Sequence, residues 1–297
     1  MSKSQVYVAK GYIPWFNDSY SFGAWMDRSH VVNVDESASG QATVTCDGNV
    51  TNMKFMFDDC HSLTTLDLSN FNTSNVVDMG LMFMKCRRLD SLDLSNFDTS
   101  KVTNINGMFL GCWSLDSLDL SSFDTFNVTD MEYMFDDCRS LTAIDLSNFN
   151  TSKVTNMSSM FQNCRNLITL DLSSFNTSNV KDMGWMFLEC RNLITLDLSS
   201  FNTSNVKDMG WMFYNCGSLT ALDLSSFSTS NVTDMRWMFK NCSNLTTIKG
   251  VIDMKSCTEY KDMFKNCPKL KDVKIKNPPA NFESISGLSK YQYTVVS

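Results

Sequence analysis

Eight of the eleven cysteines stand at Cys60, Cys86, Cys112, Cys138, Cys164, Cys190, Cys216 and Cys242, and every interval is 26 residues. A column of thiols could form disulfides, hold a soft metal or attack an electrophile. The spacing favours a quieter role. Each cysteine falls on an apolar stripe with Met and Phe, where a free thiol behaves as a small buried hydrophobe. In-register side chains point in parallel, not at one another, which strains a bridge. No C-x-x-C pair occurs to suggest zinc. Core packing is the reading, with disulfides or metal as its alternative, and Cys46, outside the frame, is the candidate reactive thiol.

A second column is acidic: Asp67, Asp93, Asp119, Asp145, Asp171, Asp197 and Asp223, again 26 apart. Seven carboxylates at strand spacing repel one another and need something to offset the repulsion. A serine follows each two residues on, so shared hydrogen bonds are one answer. An acidic strip for a basic partner, or for hard cations such as calcium, is the other. Lys249 and Lys274 end the column. Catalysis has little to work with: histidine occurs only as His30 and His61, no motif joins either to a nucleophile, and no phosphate loop or zincin helix is present. No catalytic residue, metal ligand or cofactor is assigned, and an enzyme is not expected.

The elements that must position these columns come from the period itself, which marks a repeat array. The unit reads V-x-(D/N)-M-x-x-M-F-x-x-C-x-x-L-x-x-L-D-L-S-x-F-x-T-S-x, and a worn copy with Met263, Phe264 and Cys267 follows one residue short. Arg165–Cys190 and Arg191–Cys216 differ only at Leu188/Tyr214 and Glu189/Asn215, as in a recent tandem duplication. Leu66 and Leu68 alternate as in a short strand with one buried face, leaving Asp67 and Ser69 outward. Val76, Met79, Met82, Phe83 and Cys86 recur at 3–4-residue spacing and predict a three-turn helix. Thr73-Ser74-Asn75 would cap it and Asp78 would sit in its first turn. The expected fold is therefore an α/β solenoid of about nine strand-plus-helix coils, ~40–45 Å long at strand spacing. Phe71 and its equivalents would fill the turn leaving each strand.

Such coils cannot bury their cores alone and need capped ends. Residues 1–49 lack the repeat and carry Tyr12, Trp15, Phe16, Tyr20, Phe22 and Trp25, so they read as an aromatic N-terminal cap. Residues 50–276 are the solenoid, and 277–297, with Pro278-Pro279 and an apolar stretch from Tyr291 to Val296, form the C-terminal cap.

On the predicted helix, Trp185 lands opposite the buried stripe and Leu188 nearly so. With Trp211, Tyr214 and Trp237 they cluster on consecutive coils as a candidate contact ridge. The competing reading is that the segment is not an ideal helix and the tryptophan folds over a neighbouring turn.

Net charge is −7. Residues 249–276 hold eight lysines against four acids and the remainder of the tail is neutral, so residues 1–248 carry −11. The acidic body argues against a general nucleic-acid partner. No apolar run approaches the ~18 residues of a membrane span, and the first residues do not show a secretory signal.

The 26-residue unit closely resembles the repeat of bacterial surface proteins in the BspA-like leucine-rich-repeat group, over roughly Val50 to Ile275. The resemblance implies a leucine-rich-repeat solenoid and a cell-surface or extracellular adhesin-like module that binds a protein or glycan. A structural protein that self-associates or decorates a larger particle such as a virion is the alternative, and with it a cytoplasmic or virion-associated location.

Overall fold

The computed structural model describes residues 5–10, 31–36, 41–46, 50–61 and 63–297. His30, the aromatic residues singled out between Tyr12 and Trp25 and the side chain of Cys46 lie outside the described residues.

The chain is a β-solenoid. Three N-terminal strands, β1 (Gln5–Lys10), β2 (Val31–Glu36) and β3 (Gln41–Cys46), join β4 (Thr65–Asn70) in an antiparallel sheet of order β2-β3-β1-β4. Since β4 carries Leu66 and Leu68, this sheet sits on the edge of the first coil. Further coils stack in parallel. β5 (Thr169–Leu170) pairs with β6 (Thr195–Leu196), and β7 (Ala221–Asp223) pairs with β8 (Thr247–Lys249), each in a 26-residue register. Then β9 (Val251–Asp253), β10 (Val273–Lys276), the five-residue α1 (Phe282–Ser286) and β11 (Tyr293–Val296) follow, with β11 and β9 flanking β10.

The predicted helix is absent: among the described residues α1 is the only α-helix. From Met79 to Cys86 the backbone instead alternates two kinds of bond. The N–H groups of Met79, Leu81, Phe83 and Lys85 donate to carbonyls of the next coil, those of Asn104, Asn106, Met108 and Leu110. The N–H groups of Met82, Met84 and Cys86 donate to carbonyls three residues back, at Met79, Leu81 and Phe83. A helix would send every N–H four residues back. Leu81 and Lys85 adopt φ of 57° and 59°, in the left-handed region. Consecutive turns of three residues carry Met79, Met82, Phe83 and Cys86 to one side, as a helix would, so the apolar spacing alone does not separate the two.

Two more assignments change with it. Thr73 does not cap a helix. Its hydroxyl donates to the carbonyl of Asp98 at 2.9 Å and accepts the N–H of the same residue at 2.7 Å. Thr99, Thr125, Thr151, Thr177 and Thr203 repeat this, each buried, so one side chain replaces a rung of backbone pairing. Each such hydrogen bond contributes about 0.5–1.5 kcal/mol. Asp78 is not in a helical first turn; its Oδ1 accepts the Gly80 N–H at 2.8 Å, and its backbone bridges those of Asn52 and Asn104.

The core is made of columns. Phe57, Phe83, Phe109, Phe135, Phe161, Phe187, Phe213, Phe239 and Phe264 stack with centroids 5.2–5.9 Å apart. Such aromatic pairs add about 0.5–1.5 kcal/mol each beyond the area they bury. Beside them run the cysteines. All ten described thiols are free and buried. Cys86 Sγ donates to the Phe57 carbonyl at 3.2 Å, and Cys112, Cys138 and Cys164 donate likewise to the phenylalanine one coil back. Burial pushes the Cys112 thiol up to about 12, so it stays protonated and serves as a small donor inside the core.

Asp58 and Asp136, which share the repeat position of Leu188, are buried at 2% and 6% exposure. Among the described residues neither Asp58 oxygen has a hydrogen-bond partner, while Asp136 accepts from Gln162 Nε2 at 3.2 Å through one oxygen. Burial raises Asp58 to about 6, against the opposing charge of Lys85, and Asp136 to about 7, reinforced by Asp137.

Two predictions follow from these features. Because Lys85 is left-handed, Lys85→Gly should be more stable than Lys85→Ala by roughly 1 kcal/mol in urea melts; a helix would give the opposite order. Folded Asp58 and Asp136 hold protons that the unfolded chain releases near pH 4, so stability falls as pH rises from about 4 to about 7. Asp58→Asn and Asp136→Asn should therefore raise the melting temperature at pH 8 and leave it nearly unchanged at about pH 3, a gain at the higher pH on the order of 2 kcal/mol each; equal effects at both pH values would refute the assignment.

Candidate functional site

Along each Leu-x-Leu segment the leucines turn into the core and the residues between them turn out. Stacking in register brings the outward residues of successive coils into columns, and the aspartate column is one of them. Asp93, Asp119, Asp145 and Asp171 line a groove of about 1080 Å³. Asp171, Asp197 and Asp223 line a second of about 800 Å³, closed by Lys249. Shared Thr169 and Asp171 make the two continuous. Asp67 lies outside both linings.

Every member of the column uses the same local device. Oδ1 accepts the N–H of the serine two residues on, at 2.9 Å for Ser69, Ser121, Ser147, Ser173 and Ser199 and at 3.0 Å for Ser95 and Ser225. Hydrogen bonds from these serines hold the carboxyls of Asp67, Asp93, Asp119, Asp145, Asp171 and Asp223 below their ordinary range. Those six carboxyls are therefore ionised at neutral pH, and all seven are fixed by the serine N–H in their turns. At its end Lys249 Nζ lies 3.5 Å from Asp223 Oδ2.

Apolar groups flank the acids. Ile168 and Ile194 are 44% and 49% exposed and follow one another in the ladder, the Ile194 N–H donating to the Ile168 carbonyl. Ile194 belongs to the smaller lining. Sequence reasoning missed both, although their shared repeat position, four residues after each cysteine, was readable.

The tryptophans form a ladder. Trp185, Trp211 and Trp237 have φ of 58°, 56° and 54°. The Trp185 and Trp211 rings stack at 4.8 Å with an interplanar angle of 17°, and the Trp237 ring lies 4.5 Å from that of Trp211, tilted by 43°. Arg236 lies 5.3 Å from the Trp211 centroid and Lys240 lies 5.6 Å from that of Trp237, whose Nε1 donates to Asp262 Oδ2 at 3.3 Å. The rings are half-buried, and those of Trp185 and Trp211 lie face to face. Leu188 and Tyr214, also half-buried, sit in the turns that follow, their N–H groups bonded to the Trp185 and Trp211 carbonyls.

Two further clusters were not anticipated. Trp113 is held between the guanidinium groups of Arg87 and Arg139, 4.3 and 4.4 Å from its centroid, and donates to Asp137 at 2.7 Å. Asp78, Asp130, Asp182, Asp208 and Asp234 form a second acidic column on another corner, interrupted by Asn104 and Asn156. Burial raises Asp130, Asp182 and Asp208, and backbone N–H bonds from Glu132, Gly184 and Gly210 oppose the rise. No group of three or more metal-ligating side chains occurs among the described residues, and no helix among them is long and apolar enough to cross a membrane.

Neither a curated protein nor a solved structure matches the chain. A family model described as Mycoplasma protein of unknown function, DUF285, matches it three times, at residues 46–142, 90–193 and 166–277. Those overlapping matches run through the stacked coils and most of the chain, so the protein belongs to the DUF285 family of Mycoplasma repeat proteins.

Proposed function

We propose that the chain is a non-enzymatic binding module, a nine-coil solenoid of leucine-rich-repeat type and adhesin-like use at a cell surface. Its acidic groove takes a lysine- or arginine-bearing segment of a protein partner. The observation that carries this reading is the unbroken file of ionised carboxylates lining a groove, each fixed by a serine N–H. Opposite charge in such a file speeds encounter and selects the partner more than it raises affinity. A pre-formed backbone loses little ordering entropy on binding. Carboxylates held below their ordinary range are poor general bases at neutral pH, and this supports recognition over catalysis. Of the protein and glycan partners that the sequence suggests, the groove favours protein, because the tryptophan ladder turns its ring faces inward on itself.

A deca-lysine peptide is the probe. Titrated into the full chain, it should bind in low salt, weaken steeply as salt is added, and keep its affinity down to about pH 4.5, since Asp119, Asp145 and Asp171 titrate below the ordinary carboxylate range. Asp145→Lys, Asp171→Lys and Asp197→Lys together should weaken it by roughly a hundredfold or more with the fold unchanged by circular dichroism. Unchanged binding would remove the groove as the site.

A further inference from the structure

The acidic column does not stop at the end of the groove; it changes sign. Lys249 occupies the column position after Asp223, paired to it in the ladder of β7 with β8, while Lys274, the equivalent residue counted from its cysteine, lies two residues further along the strand direction, beside Val251 in the ladder of β9 with β10. Lys249, Lys271 and Lys274 are exposed. Lys271 and Lys274 form no ion pair among the described residues. One face of the rod thus reads negative over its coils up to Asp223, and beyond it three exposed lysines, Lys249, Lys271 and Lys274, outnumber the exposed Asp272. Exposed apolar side chains lie along both parts: Ile168 and Ile194 in the first, and Val251, 39% exposed, in the second.

Such a face is complementary to itself in one orientation. Consider a two-fold axis in the contact plane, parallel to the strands and passing between Asp223 and Lys249. It sets Lys249 opposite Asp223 of a second copy and brings the exposed Lys271 and Lys274 over that copy's acidic coils beyond Asp223, and the reverse contacts follow by symmetry. Columns overlie columns because both copies have the same rung spacing, ~4.8 Å. The parallel arrangement would place like charges together. A two-fold contact is also closed, so it ends at a dimer and does not grow into a fibre.

We propose that this face joins two copies of the chain antiparallel, the basic end of each lying over the acidic groove of the other. The proposal rests on the reading of the groove as a site for basic groups and names a second copy as its resident occupant. A foreign basic segment must then displace that copy, so partner binding and dimer dissociation are linked.

The test is the solution mass of the full chain by sedimentation equilibrium at about 50 mM and about 500 mM salt, where screening lengths differ severalfold. The mass should approach twice that of the chain in low salt and fall towards one chain in high salt. Two charge-swapped variants sharpen it. One carries Asp171→Lys, Asp197→Lys and Asp223→Lys; the other carries Lys249→Glu, Lys271→Glu and Lys274→Glu. All six positions are exposed, so each variant should fold, as circular dichroism would check. Each alone should be a monomer, and an equal mixture should recover the dimer, because both contacts are then again between opposite charges. A native chain that stays monomeric in low salt, a mixture that does not pair, or a dimer indifferent to both sets of substitutions overturns the proposal. Deca-lysine binding by a monomeric native chain would leave the groove reading standing while this one fails. A swap-dependent dimer that ignores deca-lysine would do the reverse.

Discussion

The alternation of hydrogen bonds along the Met79–Cys86 arm and its equivalents governs everything built on it. One N–H in two must reach the neighbouring coil and the others must close a three-residue turn. A right-handed helix cannot satisfy the first demand, and an extended strand cannot satisfy the second. The compromise places residues such as Leu81 and Trp185 in the left-handed region, at a cost of about 1–2 kcal/mol each for an L-residue. The cross-coil bonds, the phenylalanine stack and the tryptophan ladder are what offset it. Once the arm fixes the register at 26, every other column falls into line: the thiols under the phenylalanine carbonyls, the threonines into the next backbone, the carboxylates along the groove.

This explains what could be read from the residues alone and what could not. The period, the buried leucines at 66 and 68 and the outward Asp67 depend only on which side chains repeat and alternate, and they were legible. The helix was misread because turns that advance three residues at a time leave an apolar spacing of three and four, the same as one helical face. What distinguishes them is the destination of each N–H, which no side chain records directly. The nearest clue lay in Asp59, Asp137, Asn163, Asn215, Asn241 and Asn266, residue types that tolerate the left-handed region, standing one place before six of the nine frame cysteines. Thr73 was misread for a related reason: its hydroxyl was assigned a local N–H when its partner is 25 residues away. The groove was half legible. The column of carboxylates could be named, but its serine anchors and its continuity through Thr169 and Asp171 needed the coils in place.

Charge and packing divide the surface between them. On the tryptophan corner, ring faces are taken up by neighbouring rings, by Arg236 and by Lys240, so that corner consolidates the stack. On the strand face, the outward residues are short, ionised and held in place, with isoleucine at their margin. One side of each coil therefore contributes cohesion, while the other presents outward residues that can vary without loss of the fold.

The threonine staples have a further meaning for how such a chain changes over generations. Each coil presents a hydroxyl on one side and, on the other, the peptide group that receives it, so any coil fits beneath any other. A duplicated unit creates no unfamiliar interface, only one more of a kind already present. The near-identity of Arg165–Cys190 and Arg191–Cys216 is the trace of such an event. Length, and with it the number of carboxylates in the file, becomes a quantity that recombination between like units can adjust in whole steps, with the architecture unchanged.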